Sequence, residues 1–343
     1  MTEFLGIEPT LEDYWRSLIL FGRNVACYKF ALGKALLEIA PQEKTVITLE
    51  ELAEPYSRYV VEHLHLCDSQ SQNTSTPYPF LEACRQYRDN EISKDELVRI
   101  TSKEGFKVVL NKFHNLSFGE LPVSFYTKTK GGIILTDDLF KLTQTNQFSD
   151  LIKEVEARWL LVERAWDLKI AQQLIQVNYD DETNLFFTSD RSLRRVNLSS
   201  SHDSLNGYQK GKCFYCFDDI SLNPKSSNFT DVDHFLPHVL GQFVRVNLDG
   251  VWNLVLSCQS CNRGEGGKFD RMPHLKYLKR LHTRNEFLIN SHHPLKETLI
   301  QQTGKSEEKR GKFLNNKYEK AQSLLATPAS QTWQTKERNA AAF

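Results

Sequence analysis

The chain has 343 residues, of which 25% are charged and 11% aromatic, and 43 basic residues balance 43 acidic ones. This length predicts two or three domains with sizeable cores, and the composition excludes a disordered chain. No run of about 18 apolar residues occurs and no apolar stretch follows a basic start, so neither a membrane span nor a signal peptide is expected.

Residues 1–147 are predicted to form a mainly helical domain for recognition or partner binding. Thr10 precedes an apolar stripe from Tyr14 to Ile39, which predicts one long amphipathic helix with a single interruption. The capping box Thr48-x-x-Glu51 predicts a second helix that reaches about Leu66. Its His63 and His65 are expected to be core or surface residues rather than metal ligands.

A polar, breaker-rich loop is predicted at Ser69–Pro79, and shorter elements follow it. These are helices near 80–87, after Ser93 and over 102–115, then strands at 122–128 and 133–135 joined across Gly131-Gly132. Three helices and a hairpin are also the order of a winged helix, and ordinary α+β packing is the alternative.

Residues 148–195 are predicted to connect this domain to the next part of the chain. Ser149 caps a long helix whose apolar stripe runs from Ile152 to Ile170. Beyond it, the arginines of the 191–195 segment either contact a nucleic-acid backbone or form an ordinary solvated surface.

The charge is divided unevenly along the chain. Residues 1–190 contain 20 basic and 29 acidic side chains, a net charge of −9, which leaves +9 for residues 191–343. Because phosphate neutralisation drives nucleic-acid binding, this division favours a polyanionic partner for the second half. A solvated charge pattern without a partner is the alternative.

Two Cys-x-x-Cys pairs mark residues 212–273 as the part of the chain that carries chemistry. The pairs are Cys213/Cys216 and Cys258/Cys261. Four thiolates in two such knuckles predict a closed, structural zinc site. Two unrelated pairs, or a redox pair, are the alternatives. The remaining cysteines are scattered and odd in number, which favours a reducing, cytoplasmic location.

Polar residues lie between and just after these knuckles. Asp233 and His234 are neighbours in an apolar, β-prone run, so in a strand their side chains lie on opposite faces. One division of roles is that Asp233 binds a metal while His234 acts as general base on water. Asn262 offers a hard amide oxygen, and Asn253 can hold the His234 ring in the required tautomer.

In this order the residues resemble the HNH endonuclease family, also called the ββα-metal or His-Me finger nucleases. The segments that carry the resemblance are Asp233-His234-x-x-Pro237, Asn253-Leu-Val-Leu-x-Cys258 and Cys261-Asn262-Arg263-Gly264. The form with Asn at the last position is similar to the HNH domain of RNA-guided CRISPR effectors, set in the four-Cys zinc frame of McrA-like proteins. The resemblance covers residues 212–273 and implies a nuclease domain at 196–300.

The resemblance also implies a role for each matching residue. Asp233 and Asn262 would bind a catalytic Mg²⁺ or Mn²⁺, His234 would be the general base and Asn253 its orienter, and Arg263 and Lys268 would hold the phosphate. Oxygen ligands suit these hard ions better than Zn²⁺ or Ni²⁺. Because His234 must be neutral to act, activity is expected to fall below about pH 6.5.

The implied reaction is hydrolysis of phosphodiester bonds, in DNA rather than RNA. A single site nicks one strand, so cutting both requires a homodimer or two successive events. Free-standing proteins of this type resemble components of bacterial restriction and anti-phage defence, in which the N-terminal domain would meet partner proteins. The rival function is a non-catalytic, zinc-stabilised nucleic-acid-binding protein, which does not need the set of Asp233, His234, Asn253 and Asn262.

After the motif, a basic helix and a C-terminal segment are predicted. Lys276, Lys279, Arg280 and Arg284 lie on one side of the helix, where they form either a phosphate clamp or a solvated face. His292-His293-Pro294 is expected in a loop rather than a metal site. Residues 301–343 are expected to form a helix that begins after Ser306 and a loosely ordered tail from Thr327. The expected fold class is therefore α+β, a helical domain followed by a zinc-stabilised ββα-metal domain.

Overall fold

The computed structural model describes residues 2–5, 8–22, 26–71, 78–116, 121–167, 178–180, 182–189, 195–241, 243, 247–291 and 295–343. These residues form helices and small antiparallel sheets, so the predicted α+β class is confirmed. The chain divides into two compact units: Ile7–Lys169, the helical unit, and Met1–Gly6 with Ile170–Phe343, the cysteine unit. None of the helices in the described ranges is long and apolar enough to cross a membrane.

Helices dominate the helical unit, which also contains one three-stranded sheet of order β1-β3-β2. Elements are numbered along the whole chain from α1 at Thr2–Leu5. Those of the helical unit are α2 (Leu11–Phe21), α3 (Tyr28–Ile39), β1 (Val46–Thr48), α4 (Leu49–Leu66), α5 (Pro79–Arg88), α6 (Lys94–Ile100), α7 (Val109–Lys112), β2 (Tyr126–Lys128), β3 (Gly132–Leu135), α8 (Asp137–Thr143) and α9 (Phe148–Asp167).

Local capping signals place most of these helices where the sequence predicts them. The side chains of Thr10 and Thr48 both accept a backbone hydrogen bond in a full capping box. The stripe from Tyr14 to Ile39 is two helices rather than one, because α2 ends at Gly22, which has an extended backbone. The helix expected over 102–115 is instead a π-helical turn at Thr101–Gly105 followed by the short α7.

The helix expected to connect two domains belongs to the helical unit. Arg16 of α2 pairs with Glu154 of α9 at 2.8 Å, and both side chains are buried. His63 of α4 stacks on Trp159 with ring centroids 3.5 Å apart, and its Nδ1 lies 2.8 Å from the Glu163 carboxylate. His63 is therefore a core residue with carboxylate partners, and α9 is part of the core of this unit.

The cysteine unit contains a three-stranded antiparallel sheet, β4-β5-β6, and the strand pair β7-β8. Besides α1, its elements are β4 (Asn178–Asp180), β5 (Leu185–Ser189), β6 (Arg195–Ser200), α10 (Ser201–Gln209), β7 (Thr230–His234), β8 (Leu254–Cys258), α11 (Gln259–Asn262), α12 (Lys276–Asn290), α13 (Leu295–Thr303) and α14 (Glu307–Leu324). Phe4 of α1 packs edge-on against Phe287 of α12, with ring centroids 5.3 Å apart.

The C-terminal segment is packed within this unit, so the expectation of a loosely ordered tail is wrong. Trp333 is 5% exposed, and its backbone N–H donates to the Met272 carbonyl at 2.7 Å. Further along, the Arg338 N–H donates to the Cys216 carbonyl at 2.8 Å. The predictions made for residues 72–77, for Arg191 and Arg194, and for His292-His293-Pro294 lie outside the described residues.

Candidate metal centre and cleft

The four predicted cysteines converge on one point. Their sulfur atoms all lie within 4.8 Å of one another, and Sγ of Cys216 is 3.7 Å from Sγ of Cys258. Tetrahedral zinc with Zn–S bonds of about 2.3 Å places its sulfur ligands about 3.8 Å apart. All four residues are buried. Four thiolates would fill the tetrahedral coordination of a zinc ion, so no position is left for a substrate.

The strand pair β7-β8 links this cluster to the predicted polar residues. The strands are antiparallel, with Thr230 opposite Cys258 at one end and His234 opposite Leu254 at the other. Four residues of strand at about 3.4 Å each separate the two ends by about 14 Å. A zinc ion at the cysteines would therefore stabilise the strands without reaching His234.

A cleft of about 270 Å³ lies at the His234 end of the strands. Four of the predicted site residues, Asp233, His234, Asn262 and Arg263, line it. The other lining residues are Val232, Pro237, His238, Phe269 and Asp270. Asn253 and Lys268, which were expected in the same site, are not among the residues that line the cleft.

Asp233 is held by two donors from the protein itself. The Tyr215 hydroxyl donates to Oδ2 at 2.5 Å, and Lys268 Nζ lies 3.0 Å from Oδ1. The Lys268 ammonium also donates to the backbone carbonyls of His234 and Phe269, at 2.8 and 3.2 Å. Lys268 was expected to hold a phosphate. It is 0% exposed and instead neutralises a buried carboxylate.

His234 is largely buried, and its ring contacts an acid that the sequence analysis did not single out. Nε2 lies 2.9 Å from Oδ1 of Asp249. The His238 ring centroid is 5.0 Å away, and the Tyr179 ring lies edge-on at 5.9 Å. Burial lowers the pKa of His234, and the hydrogen bond to Asp249 opposes part of this shift. The ring is therefore neutral to lower pH than an exposed histidine.

Asn253 occupies a different place from the one expected. Its Oδ1 accepts from the Leu236 N–H at 2.8 Å, and its Nδ2 donates to the carbonyls of Leu236 and Leu248, at 3.1 and 2.9 Å. The Asn253 amide therefore links Leu236, just after β7, to Leu248. This contact also fixes the backbone next to Asp249, which follows Leu248. No sequence signal marks Asp249, because Asn247-Leu-Asp249-Gly250 has the composition of an ordinary turn.

Asn262 and Arg263 share a second acid that the sequence analysis missed. Asn262 Nδ2 donates to Asp231 Oδ2 at 3.2 Å, and Arg263 Nε lies 3.0 Å from the same oxygen. Asp231 lies two residues before Asp233 on β7, which places both acids on the same face of the strand. Because the NH₂ group of Asn262 bonds to Asp231, its Oδ1 is the atom that can accept a further bond. Nothing in the described part of the chain donates to that atom.

No family model, curated protein or solved structure matches this chain.

Of the four basic residues predicted on one side of α12, two make structural contacts and two lie on the surface. Arg284 is completely buried and donates to the Val251 carbonyl at 3.4 Å, so it is no phosphate contact. Arg280 Nη1 donates to the carbonyls of Phe214 and Tyr215, at 2.5 and 2.9 Å, and Nη2 pairs with Glu337 at 2.5 Å. Its side chain is 10% exposed, so it supports the first knuckle rather than a phosphate. Lys276 and Lys279 are exposed and remain accessible to a polyanion.

The cleft also has the donor types that a hard divalent cation requires. Asp233 and Asn262 supply a carboxylate and an amide oxygen, which suit Mg²⁺ or Mn²⁺ better than softer ions. Each carboxylate oxygen can accept two hydrogen bonds or ligand bonds, so Tyr215 and Lys268 leave capacity on Asp233. These residues are therefore compatible with one hard cation, with water completing its coordination.

Proposed function

We propose that this chain is a metal-dependent HNH endonuclease that hydrolyses phosphodiester bonds in DNA. The observation that carries the proposal is the cleft that His234, Asp233 and Asn262 line together. The four-cysteine cluster at the far end of the same strand pair supports it, since a zinc ion there would stabilise those strands.

In this proposal each residue of the cleft has one task. His234 takes a proton from a water molecule, whose oxygen then attacks the phosphorus, and the bond from phosphorus to the leaving oxygen breaks. Asp233 and Asn262 would hold the cation. When bound, a hard cation neutralises charge that develops on the phosphate. Arg263 would contact a non-bridging phosphate oxygen, and the 59% exposure of its side chain supports this role although Asp231 holds part of its guanidinium.

A specific observation favours the rival function as a nucleic-acid-binding protein without turnover. Lys268 neutralises Asp233, and Arg263 pairs with Asp231, so both acids have cationic partners without any metal. A protein that only binds nucleic acid would keep these ion pairs, the zinc cluster and the exposed lysines of α12. Cleavage and binding must therefore be measured separately.

Nicking of supercoiled plasmid by the zinc-loaded protein tests the proposal. Mg²⁺ or Mn²⁺ is added in the assay, and both are omitted in the control. We expect cleavage only with the added cation, and a loss of about 10²–10⁴-fold in His234→Ala. The matched control is Lys279→Ala, which removes an exposed charge from α12. The plasmid is prepared from hosts with and without DNA methylation. If it stays intact with every cation while the protein still binds it, the rival function is favoured.

A further inference from the structure

Asp249 lies between two imidazoles of the cleft. Its Oδ1 is 2.9 Å from Nε2 of His234 and 3.4 Å from Nε2 of His238. The shorter contact is to the buried ring, whereas the His238 side chain is 58% exposed. His234 is therefore the principal partner of this carboxylate.

The backbone on both sides of Asp249 is fixed. The Asp249 N–H donates to Asn247 Oδ1 at 3.0 Å, and the Trp252 indole donates to the Asn247 carbonyl at 3.2 Å. On the other side, the Asn253 N–H donates to the Gly250 carbonyl at 2.8 Å. With the side chain of Asn253 holding Leu248, the loop presents Asp249 in a defined position.

The contact also identifies which ring nitrogen carries the proton. A carboxylate at neutral pH accepts hydrogen bonds and donates none, so the neutral His234 ring must carry its hydrogen on Nε2. Nothing in the described part of the chain bonds to Nδ1. That atom therefore keeps a lone pair.

We propose that Asp249 is the positioning residue for His234, which it holds as the Nε2–H tautomer so that Nδ1 is the proton acceptor. In this division of roles Asn253 positions the loop and Asp249 positions the ring. The use of Nδ1 as a base rests on the proposed endonuclease function. The tautomer, in contrast, is a property of the protein without substrate and can be observed on its own.

Nitrogen-15 NMR of the histidine rings tests the tautomer in the zinc-loaded full chain at about pH 8, above the ordinary pKa of histidine. The His234→Gln variant assigns the signal. We expect the protonated-nitrogen shift on Nε2 and the unprotonated shift on Nδ1. In Asp249→Asn the amide can donate to Nε2, so the hydrogen should move to Nδ1 in a large part of the molecules.

Cleavage kinetics supply the second readout. Because a wrong tautomer leaves the geometry intact but removes the base, kcat should fall about 10²–10⁴-fold in Asp249→Asn with little change in KM. Asp249→Glu keeps the carboxylate and should recover the tautomer and most of kcat. Asp219→Asn makes the same chemical change at an exposed carboxylate that pairs with Lys212, and should change neither.

Each outcome separates this inference from the proposed function. A wild-type ring protonated on Nδ1, or an Asp249→Asn variant with unchanged tautomer and kcat, would overturn the inference. If Asp249→Asn alters the tautomer while the wild type cleaves no DNA, the positioning role stands and the endonuclease proposal fails. If Asp249→Asn loses its zinc or fold, the wild-type tautomer and the Asp249→Glu variant decide.

Discussion

At the scale of single residues, Lys268 shows how a cation beside the cleft can serve the fold. Its ammonium is completely buried and has three oxygen partners, one of them the Asp233 carboxylate. A buried carboxylate without an ion-pair partner is costly, and Lys268 supplies that partner. Lys268 therefore stabilises a residue that lines the cleft.

We predict that Lys268→Met destabilises the cysteine unit by about 3–5 kcal/mol, because it leaves the Asp233 charge buried without its partner. Urea unfolding measures the change. Lys279→Met, at an exposed position on α12, should stay within about 0.5 kcal/mol of wild type. If Lys268→Met instead unfolds like wild type but binds DNA with a weaker salt dependence, Lys268 holds a phosphate after all.

The sequence predicted the residues of the site whose type and spacing are distinctive. The four cysteines form the predicted cluster, and Asp233, His234, Asn262 and Arg263 line one cleft. The acids that hold them, Asp231 and Asp249, were missed for different reasons. Asp231 could have been found, since it lies on the same strand face as Asp233. Asp249 could not, because its contact depends on how the loop after β7 folds back.

At the scale of elements, the segment that begins at Trp333 contacts residues of both the cysteine cluster and the cleft. The Trp333 ring packs edge-on against Tyr215 at 4.9 Å, and the Tyr215 hydroxyl donates to Asp233. This segment belongs to the tail from Thr327, which was predicted to be loosely ordered. Its order comes from the rings of Trp333 and Phe343 and from hydrogen bonds to residues distant in sequence, none of which produces a local signal.

We predict that Trp333→Ala lowers the stability of the cysteine unit by about 3–5 kcal/mol, the usual cost of removing a buried large aromatic side chain. Since the same segment contacts Cys216, zinc should also transfer faster to a colorimetric chelator. The control is Lys336→Ala in the same segment. Unchanged unfolding and zinc release in Trp333→Ala would show that the packing of the segment contributes little.

At the scale of the whole molecule, a division into two compact units predicts two unfolding transitions. The four cysteines all belong to one unit, so removing zinc should lower the transition temperature of that unit only, because metal binding there adds to its folding free energy. Differential scanning calorimetry of the full chain, with and without a strong zinc chelator, measures this effect.

Two matched cysteine variants check the assignment of those transitions. Cys213→Ser should abolish zinc binding and the chelator-sensitive transition. Cys84→Ser alters a buried thiol of the helical unit, so it should shift the other transition and leave the zinc content unchanged. A single transition that responds equally to both variants would mean that the two units unfold together.

The discontinuity of the cysteine unit also bears on how the chain folds as the ribosome makes it. Phe4 is synthesised before its packing partner Phe287, which lies 283 residues further along the chain. Ile7–Lys169 can collapse while synthesis continues, whereas the unit that holds His234 cannot be completed until its last helices have left the exit tunnel. Any hydrolytic activity at His234 would consequently arise only once those helices have emerged.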